Sequence, residues 1–290
     1  MDVSIPSHLE KAYEDCQRQA FGHYENFPVA SLLLPKVSRP HVAALYAYAR
    51  TADDFADEEK YEGRRLKEIA RWERGLKDAL KGKKAPAALM AFAHTVRTFQ
   101  IPLSLPLDLL RAYRMDVVNH RYSTWNALLY YCRHSANPVG RMVLLISGIR
   151  DEKLHRYSDF ICSGLQLINF WQDSSIDLKR GRIYYPLAEL KKAGVGAKGL
   201  LALQDSPPVR RMVRSAVDFT EGYFRKGLPL LDAVTGRLKL ELKATCRGGS
   251  RILGKIRGMD YQVLEQRPHL GVWDKFQVFL AALLPPGKGS

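Results

Sequence analysis

The sequence lacks the features of a secreted, disulfide-stabilised or membrane-spanning protein. Its 290 residues begin without the basic and then apolar pattern of a signal peptide, and no apolar run is long enough to cross a bilayer. Only four cysteines are present, with no Cys-x-x-Cys pair, which argues against a zinc site or a disulfide framework. These absences favour a reducing cytoplasm as the expected location.

The sequence also lacks internal repeats, low-complexity linkers and the alternating apolar pattern of β-strands. Helical periodicity dominates instead, and segments that contain Gly and Pro separate the helices. We therefore predict an all-α protein in which residues 1–290 form a single domain. The main predicted helices cover about 41–59, 61–81, 86–99, 106–120, 123–149, 154–180, 207–229 and 232–260.

Acidic residues are scarce, since 30 Asp and Glu stand against 45 Lys and Arg and the formal net charge is +15. Such a charge favours an anionic partner, namely nucleic acid, an anionic membrane surface or a phosphorylated substrate. No signature of a nucleic-acid-binding domain accompanies it. Basic residues alternate with apolar ones over 236–258, which fits either a solvated helix face or peripheral contact with the inner face of a membrane.

Within this basic chain, four carboxylates are concentrated in the stretch RTADDFADE at residues 50–58. On a helix, one face with an arc of about 60° would carry Tyr46, Arg50, Asp53 and Asp57. Asp54 lies to the side of this face. Taken alone, this stretch has two equally good interpretations. It could be a functional site, or it could be a solvated surface on which Arg50 pairs with Asp54.

A second polar row lies in the apolar segment GLQLINFWQDSSIDLKRGRIYYP, residues 164–186. Within an arc of about 80°, a helix would carry Gln166, Asn169, Asp173 and Asp177. The apolar neighbours predict a helix that is buried on nearly all sides, where polar groups without partners are costly. The row must therefore face a ligand or take part in a hydrogen-bonded network between helices.

Two Asp-x-x-x-Asp rows on separate helices predict a shared Mg²⁺ site if they face each other. Mg²⁺ prefers carboxylate oxygens, and substrate phosphates commonly complete its coordination. Nearby basic residues could stabilise a departing diphosphate. They are Arg50, Lys179, Arg180 and Arg182. The chemistry that this arrangement favours is ionisation of an allylic or cyclopropylcarbinyl diphosphate inside an apolar pocket.

Three segments resemble the head-to-head prenyl synthases, the family of squalene, phytoene and dehydrosqualene synthases. They are YAYARTADDFADE at 46–58, YYCRHSANPVG at 130–140, and the second aspartate segment at 164–186. The resemblance extends over about residues 20–257. It implies the all-α isoprenoid (terpenoid) synthase bundle, with a central cavity and bound Mg²⁺.

Three details resemble one branch, the bacterial hydroxysqualene synthases of hopanoid biosynthesis. They are GHYENFPVASLLLP at 22–35, SANPVG at 135–140, and Gln172 before the aspartate. This resemblance implies a lyase that converts presqualene diphosphate and water to hydroxysqualene and diphosphate, on the route to squalene and hopanoids. It also implies a functional link to a presqualene diphosphate synthase and a flavin-dependent reductase.

Two alternatives remain open. Within the family, the chain could make squalene, presqualene diphosphate, dehydrosqualene or phytoene from farnesyl or geranylgeranyl diphosphate. Outside it, the chain could be a non-catalytic helical assembly factor at a membrane, although such a scaffold would have little reason to retain both aspartate pairs.

The resemblance also implies roles for individual residues. The ligands of Mg²⁺ and diphosphate would be Asp53, Asp57, Asn169, Asp173 and Asp177. Further substrate contacts would come from His23, Tyr46, Arg50, Gln166 and Arg182. Tyr131 would assist proton transfer or stabilise the cation near the diphosphate.

The segment 137–138 departs from the family's usual Ala-Gly-x-Val-Gly pattern. Pro138 removes a backbone donor and should kink the predicted helix at this point. We hypothesise that this kink and the amide of Asn137 let water reach the cation.

Overall fold

The computed structural model describes residues 4–22, 34–271 and 273–274. This part of the chain consists of helices joined by turns and contains no β-strand; an isolated parallel bridge links Arg121 and Ile183. The all-α prediction is confirmed. No helix in the described part combines the length and the apolar character that a bilayer span requires.

The α-helices are, in chain order, α1 Glu10–Gly22, α2 Arg39–Asp57, α3 Arg65–Leu80, α4 Ala87–Thr98, α5 Ser104–Val118, α6 Trp125–Ser135, α7 Asn137–Ile146, α8 Glu152–Gln172, α9 Ser174–Lys179, α10 Leu187–Ala193, α11 Ala197–Leu201, α12 Pro207–Arg225, α13 Leu230–Ala233 and α14 Gly236–Gly258. Short 3₁₀ turns precede α1 at Ser7–Leu9 and follow α2 at Glu59–Tyr61.

Two of the long predicted helices are interrupted. The segment predicted as 123–149 is broken at Ala136, and Pro138 lies in the first turn of α7. A proline there costs no hydrogen bond, because the first N–H groups of a helix have no intrahelical acceptor. Pro138 therefore lies at the start of a helix, and the predicted kink is wrong. The segment predicted as 154–180 is broken at Asp173, whose φ and ψ are −98° and 11°.

The chain divides into two compact units, residues 1–118 with 134–155 and residues 119–133 with 156–290. This division does not test the single domain expected over 1–290, which stays a prediction. In the first unit, α2 packs against α1, α3, α4, α5 and α7. Its buried alanines, including Ala44, Ala47 and Ala52, let these neighbours approach closely. The polar side chains of α2 therefore lie on the remaining face.

The first unit also contains a buried polar anchor for α1. The hydroxyl of Tyr13 lies 2.8 Å from Nδ1 of His94 and 2.9 Å from Oγ1 of Thr95, both on α4. Burial raises the pKa of Tyr13, so this hydroxyl stays protonated and keeps its hydrogen-bonding role. These contacts fix α1 against the bundle.

The second unit is built around α8. Trp171 is fully buried, and its indole N–H donates to Oγ1 of Thr220 on α12 at 2.8 Å. Two glycines allow close approach: a Cβ at Gly164 would lie 2.6 Å from Cδ2 of Phe224, and one at Gly249 would lie 2.9 Å from Cδ2 of Leu165. Helices α12 and α14 therefore pack tightly on α8 and fix the position of its C-terminal end.

Candidate active site

The first aspartate row, Asp53 and Asp57, lies on the polar face of α2. The side chains of Tyr46, Arg50 and Asp53 are half-buried and that of Asp57 is exposed. Nη1 of Arg50 lies 3.4 Å from Oδ2 of Asp53, and Nη2 lies 2.7 Å from Oδ1 of Asp54. The surface pairing considered from the sequence is therefore present, and it extends to Asp53 of the row.

The polar face of α2 carries a guanidinium and a phenol, those of Arg50 and Tyr46. The Nε of Arg50 is buried and has no hydrogen-bond partner among the described residues. Burial raises the pKa of Tyr46; the Arg50 charge opposes this rise, and Asp54 and Asp53 reinforce it. Tyr46 is therefore a neutral hydroxyl donor at physiological pH. A guanidinium next to a phenol suits a phosphate oxygen.

Sequence reasoning missed Tyr113, a neighbour of the first aspartate row on α5. Burial raises the pKa of its hydroxyl well above the usual value, and the nearby charge of Asp53 raises it further. The phenol therefore stays protonated beside the carboxylate. No motif marks this residue, because its proximity to Asp53 results from the packing of α5 on α2.

The second aspartate row, Asp173 and Asp177, follows the C-terminal end of α8. The backbone N–H of Asp173 donates to the carbonyl of Asn169 at 2.8 Å, and that of Asp177 donates to the carbonyl of Asp173 at 2.9 Å. The one-turn spacing of Asn169, Asp173 and Asp177 is thus kept across the helix break. The apolar neighbours Leu167, Ile168, Phe170 and Trp171 are buried, whereas Leu165 and Gln166 are half-buried. Asn169 is exposed, so the polar row faces outward from the second unit and the prediction of burial on nearly all sides is wrong there.

Arg182 is held next to the second row by the backbone. Its N–H donates to the carbonyl of Asp177 at 2.9 Å, and the following N–H, of Ile183, donates to the carbonyl of His120 at 2.8 Å. The residues on either side of this turn are also linked, because the hydroxyls of Ser174 and Tyr185 lie 2.7 Å apart. Burial raises the pKa of Tyr185, so its hydroxyl stays protonated. These contacts give the turn between α9 and α10 a defined shape.

The carboxylate of Asp173 already has two partners, and one of them was not predicted. Its Oδ2 accepts a hydrogen bond from Nδ2 of Asn169 at 3.0 Å, and its Oδ1 lies 2.5 Å from Nε of Arg267. The preceding residue, Gln172, donates from Nε2 to the carbonyl of Pro268 at 2.9 Å. The sequence gives no signal for the contacts of Arg267 and Pro268, because the partners are more than ninety positions apart.

Tyr131 lies in a buried aromatic cluster of the second unit. Its ring centroid is 5.5 Å from that of Tyr122, 6.0 Å from that of Phe170 and 6.3 Å from that of Tyr184. Phe170 and Tyr184 stack on each other at 3.7 Å. The π-faces of such rings attract cations, so the cluster is suited to stabilising a carbocation that contacts it.

Two further predicted site residues are Asn137 and His23. Asn137 is buried at the start of α7 in the first unit. His23 lies outside the described residues. The structure thus brings Tyr46, Arg50, Asp53 and Asp57 together on α2. On the second unit it brings together Gln166, Asn169, Asp173, Asp177 and Arg182.

The donor groups fit a metal site that the substrate completes. Among the described residues, no three side chains of His, Cys, Asp or Glu are grouped as a preformed metal site. Each aspartate row instead offers two carboxylates one turn apart. Mg²⁺ is commonly held by one or two carboxylates together with waters and substrate phosphates, so each row fits it in this way.

Comparison with known proteins adds independent information. The model of the squalene/phytoene synthase family matches residues 21–274. The hydroxysqualene synthase of Rhodopseudomonas palustris is 34% identical over 252 residues, which are 85% of this chain and 83% of that protein. The phytoene synthase of Thermus thermophilus is 30% identical over 289 residues, 98% of each chain.

Solved structures agree with the fold. The crystal structure of squalene synthase HpnC from Alicyclobacillus acidocaldarius superposes with a TM-score of 0.84 at 38% identity, over 89% of this chain and 97% of that one. A dehydrosqualene synthase superposes with a TM-score of 0.85 at 22% identity, over 95% of this chain and 96% of that one. The second likeness concerns the fold alone.

Proposed function

The chain belongs to the squalene/phytoene synthase family, and on this premise we propose that it converts presqualene diphosphate and water to hydroxysqualene and diphosphate. The observation that carries the diphosphate chemistry is the second aspartate row, where Asn169, Asp173 and Asp177 follow at one-turn intervals beside Arg182. The choice of product rests on the similarity to proteins named hydroxysqualene synthases. Synthesis of squalene, dehydrosqualene, presqualene diphosphate or phytoene is the alternative, which the similarity to phytoene synthases also fits.

Enzymes of this family use a divalent metal ion, which we propose is Mg²⁺ here. We propose that the aspartates of both rows and Asn169 are the ligands of this ion. Both rows would then act on one diphosphate. When bound, Mg²⁺ would neutralise the charge that develops on the leaving diphosphate. The surrounding donors would orient the same diphosphate; they are His23, Tyr46, Arg50, Gln166 and Arg182.

The remaining proposed roles concern the carbocation. Tyr131 would stabilise the cation or move a proton near the diphosphate, and its aromatic neighbours would exclude bulk water. Asn137 would position the water molecule that captures the cation. The oxygen of this water forms the new C–O bond, one of its protons is released, and the electrons of the broken C–O bond leave with the diphosphate.

Purified protein should convert presqualene diphosphate to hydroxysqualene in the presence of Mg²⁺ and without NADPH. Mass analysis of the extracted lipid in ¹⁸O-labelled water should place the label in the alcohol. Vigorous turnover of farnesyl diphosphate alone would favour the alternative synthases instead. Failure to release diphosphate from any prenyl diphosphate would favour a non-catalytic role.

The proposed reaction also requires neighbouring enzymes. A presqualene diphosphate synthase must supply the substrate, and a reductase, which we propose is flavin-dependent, must remove the hydroxyl group to give squalene. Because these intermediates are long and apolar, we place the reaction in the cytoplasm at the inner face of a membrane.

The basic helix α14 is the proposed membrane contact. Five basic residues follow at intervals of four positions: Lys239, Lys243, Arg247, Arg251 and Lys255. Asp274 pairs with Arg251 at 2.9 Å and with Lys255 at 2.8 Å, which places the 77% exposed Trp273 beside this row. Clustered cations next to an exposed tryptophan suit an anionic lipid surface.

The protein should therefore sediment with vesicles that contain phosphatidylglycerol and not with vesicles of phosphatidylcholine alone. Reversing two charges of the row, in Lys243→Glu with Arg247→Glu, should weaken binding at least about tenfold, because each basic residue near such a surface contributes about 1 kcal/mol. The matched control is Lys81→Glu with Lys84→Glu, two exposed lysines of the first unit. An equal loss in this control would show that net charge alone is responsible.

A further inference from the structure

We propose that Arg267 is a built-in counter-ion of Asp173 that the incoming metal ion must displace, so that metal loading releases residues 265–270 from the end of α8. The proposal rests on the assignment of Asp173 as a metal ligand. It adds a second role for this aspartate, which is to hold the C-terminal segment in place while no metal is bound.

The first observation is that both carboxylate oxygens of Asp173 are engaged. Oδ1 pairs with Nε of Arg267 at 2.5 Å, and Oδ2 accepts from Nδ2 of Asn169 at 3.0 Å. A guanidinium therefore occupies the position beside Oδ1 that a cationic ligand would take. Because a divalent ion and a guanidinium repel each other, both cannot contact this small carboxylate at full strength.

The second observation is that the Arg267 contact is part of a two-point attachment. Next to it, Gln172 donates to the carbonyl of Pro268 at 2.9 Å. The two segment residues are consecutive, and so are their partners Gln172 and Asp173. The segment is thus attached at the break between α8 and α9, where the backbone of Asp173 departs from helical geometry.

The third observation is that the segment has little local structure of its own. It forms turns up to residue 265 and then runs without regular secondary structure to residue 271. A segment without regular backbone hydrogen bonding opens more readily than a helix. The backbone N–H of Gln266 donates to the carbonyl of Gln262 at 3.3 Å, so its exchange reports whether the segment is attached. The Arg267 side chain is 44% exposed, which leaves room for it to move into solvent.

Amide hydrogen exchange tests this directly, with Mn²⁺ as the probe ion. In the wild-type protein, exchange at the amide of Gln266 should rise about tenfold when the ion is added, which is the effect expected from losing one charged hydrogen bond. In Arg267→Gln, exchange should be fast without the ion and should change little when it is added. Unchanged exchange in the wild-type protein at saturating Mn²⁺ would overturn the proposal.

Affinity supplies the second readout. Arg267→Gln should bind Mn²⁺ about tenfold more tightly, measured from the electron paramagnetic resonance signal of the free ion, because no guanidinium competes for Oδ1. The control Lys191→Gln removes the same charge from an exposed position of α10 and should leave the affinity unchanged. Equal affinities of Arg267→Gln and wild type, or an equal gain in the control, would contradict the proposal.

A third variant keeps the test decisive if Arg267→Gln folds poorly. Asp173→Ala removes the carboxylate, so the amide of Gln266 should exchange rapidly with and without Mn²⁺; persistent protection would refute the attachment. These readouts do not depend on the product. A protein that released the segment on metal binding but made phytoene would refute the proposed function and support the role of Arg267.

Discussion

Replacing Asp173 by Asn is expected to lower the rate of diphosphate release by about a thousandfold, which corresponds to about 4 kcal/mol of transition-state stabilisation. The amide keeps the size of the side chain but removes the charge that would hold Mg²⁺. The helical fold should persist, because Asp173 is only partly buried and its carboxylate contacts two polar partners instead of the core. Diphosphate release in a coupled assay and circular dichroism measure the two effects.

The matching substitution on α2, Asp53→Asn, should cause a loss of similar size. If both aspartate rows act on one diphosphate, the double variant should lose little more than either single variant, because residues that act as a unit are not additive. Losses that multiply would show that the two rows act independently, against the proposed function. Asp232→Asn, at an exposed carboxylate of α13, is the control and should stay close to wild-type activity.

Removing the metal ion tests the same assignment of the aspartate rows without a mutation. A chelator should abolish turnover of presqualene diphosphate by the wild-type protein, and added Mg²⁺ should restore it. The residual rate of Asp173→Asn should respond to Mg²⁺ only at higher concentration, because one row has lost a ligand. Full activity at saturating chelator would contradict the assignment of both rows.

The helices and the two aspartate rows were predictable because their signals are local in the sequence. The polar face of α2 follows from residue spacing alone, and the buried neighbours of Asn169 follow from their apolar character. The resemblance to the squalene/phytoene synthase family is also confirmed. Each of these signals lies within about twenty residues, a length over which a helical period can be read directly.

The helix breaks and the long-range contacts were not predictable. The pattern of apolar residues continues through Asp173, so nothing in it indicates that the backbone leaves helical geometry there. The ion pair of Arg267 with Asp173 and the proximity of Tyr113 to Asp53 join distant parts of the chain and depend on how those parts pack. A single sequence contains no period or motif that reports such a contact.

Tyr131→Phe is expected to lower turnover of presqualene diphosphate about a hundredfold, the usual effect of losing a group that transfers a proton. Phenylalanine preserves the ring that faces Tyr122 and Phe170, so the aromatic cluster should remain intact. Tyr131→Leu also removes the π-face and should cost about a further thirtyfold, since a desolvated cation–π contact contributes about 2 kcal/mol.

The ratio between these two variants separates the two roles considered for Tyr131. A large loss in Tyr131→Phe with a small further loss in Tyr131→Leu assigns the hydroxyl to proton transfer, whereas the reverse pattern assigns the ring to cation stabilisation. Tyr130→Phe is the matched control, because Tyr130 is adjacent in α6 and 45% exposed. Of Tyr130 and Tyr131, only Tyr131 lies in the buried aromatic cluster of the second unit. If both Tyr131 variants kept wild-type rates, Tyr131 would have no role in the chemistry.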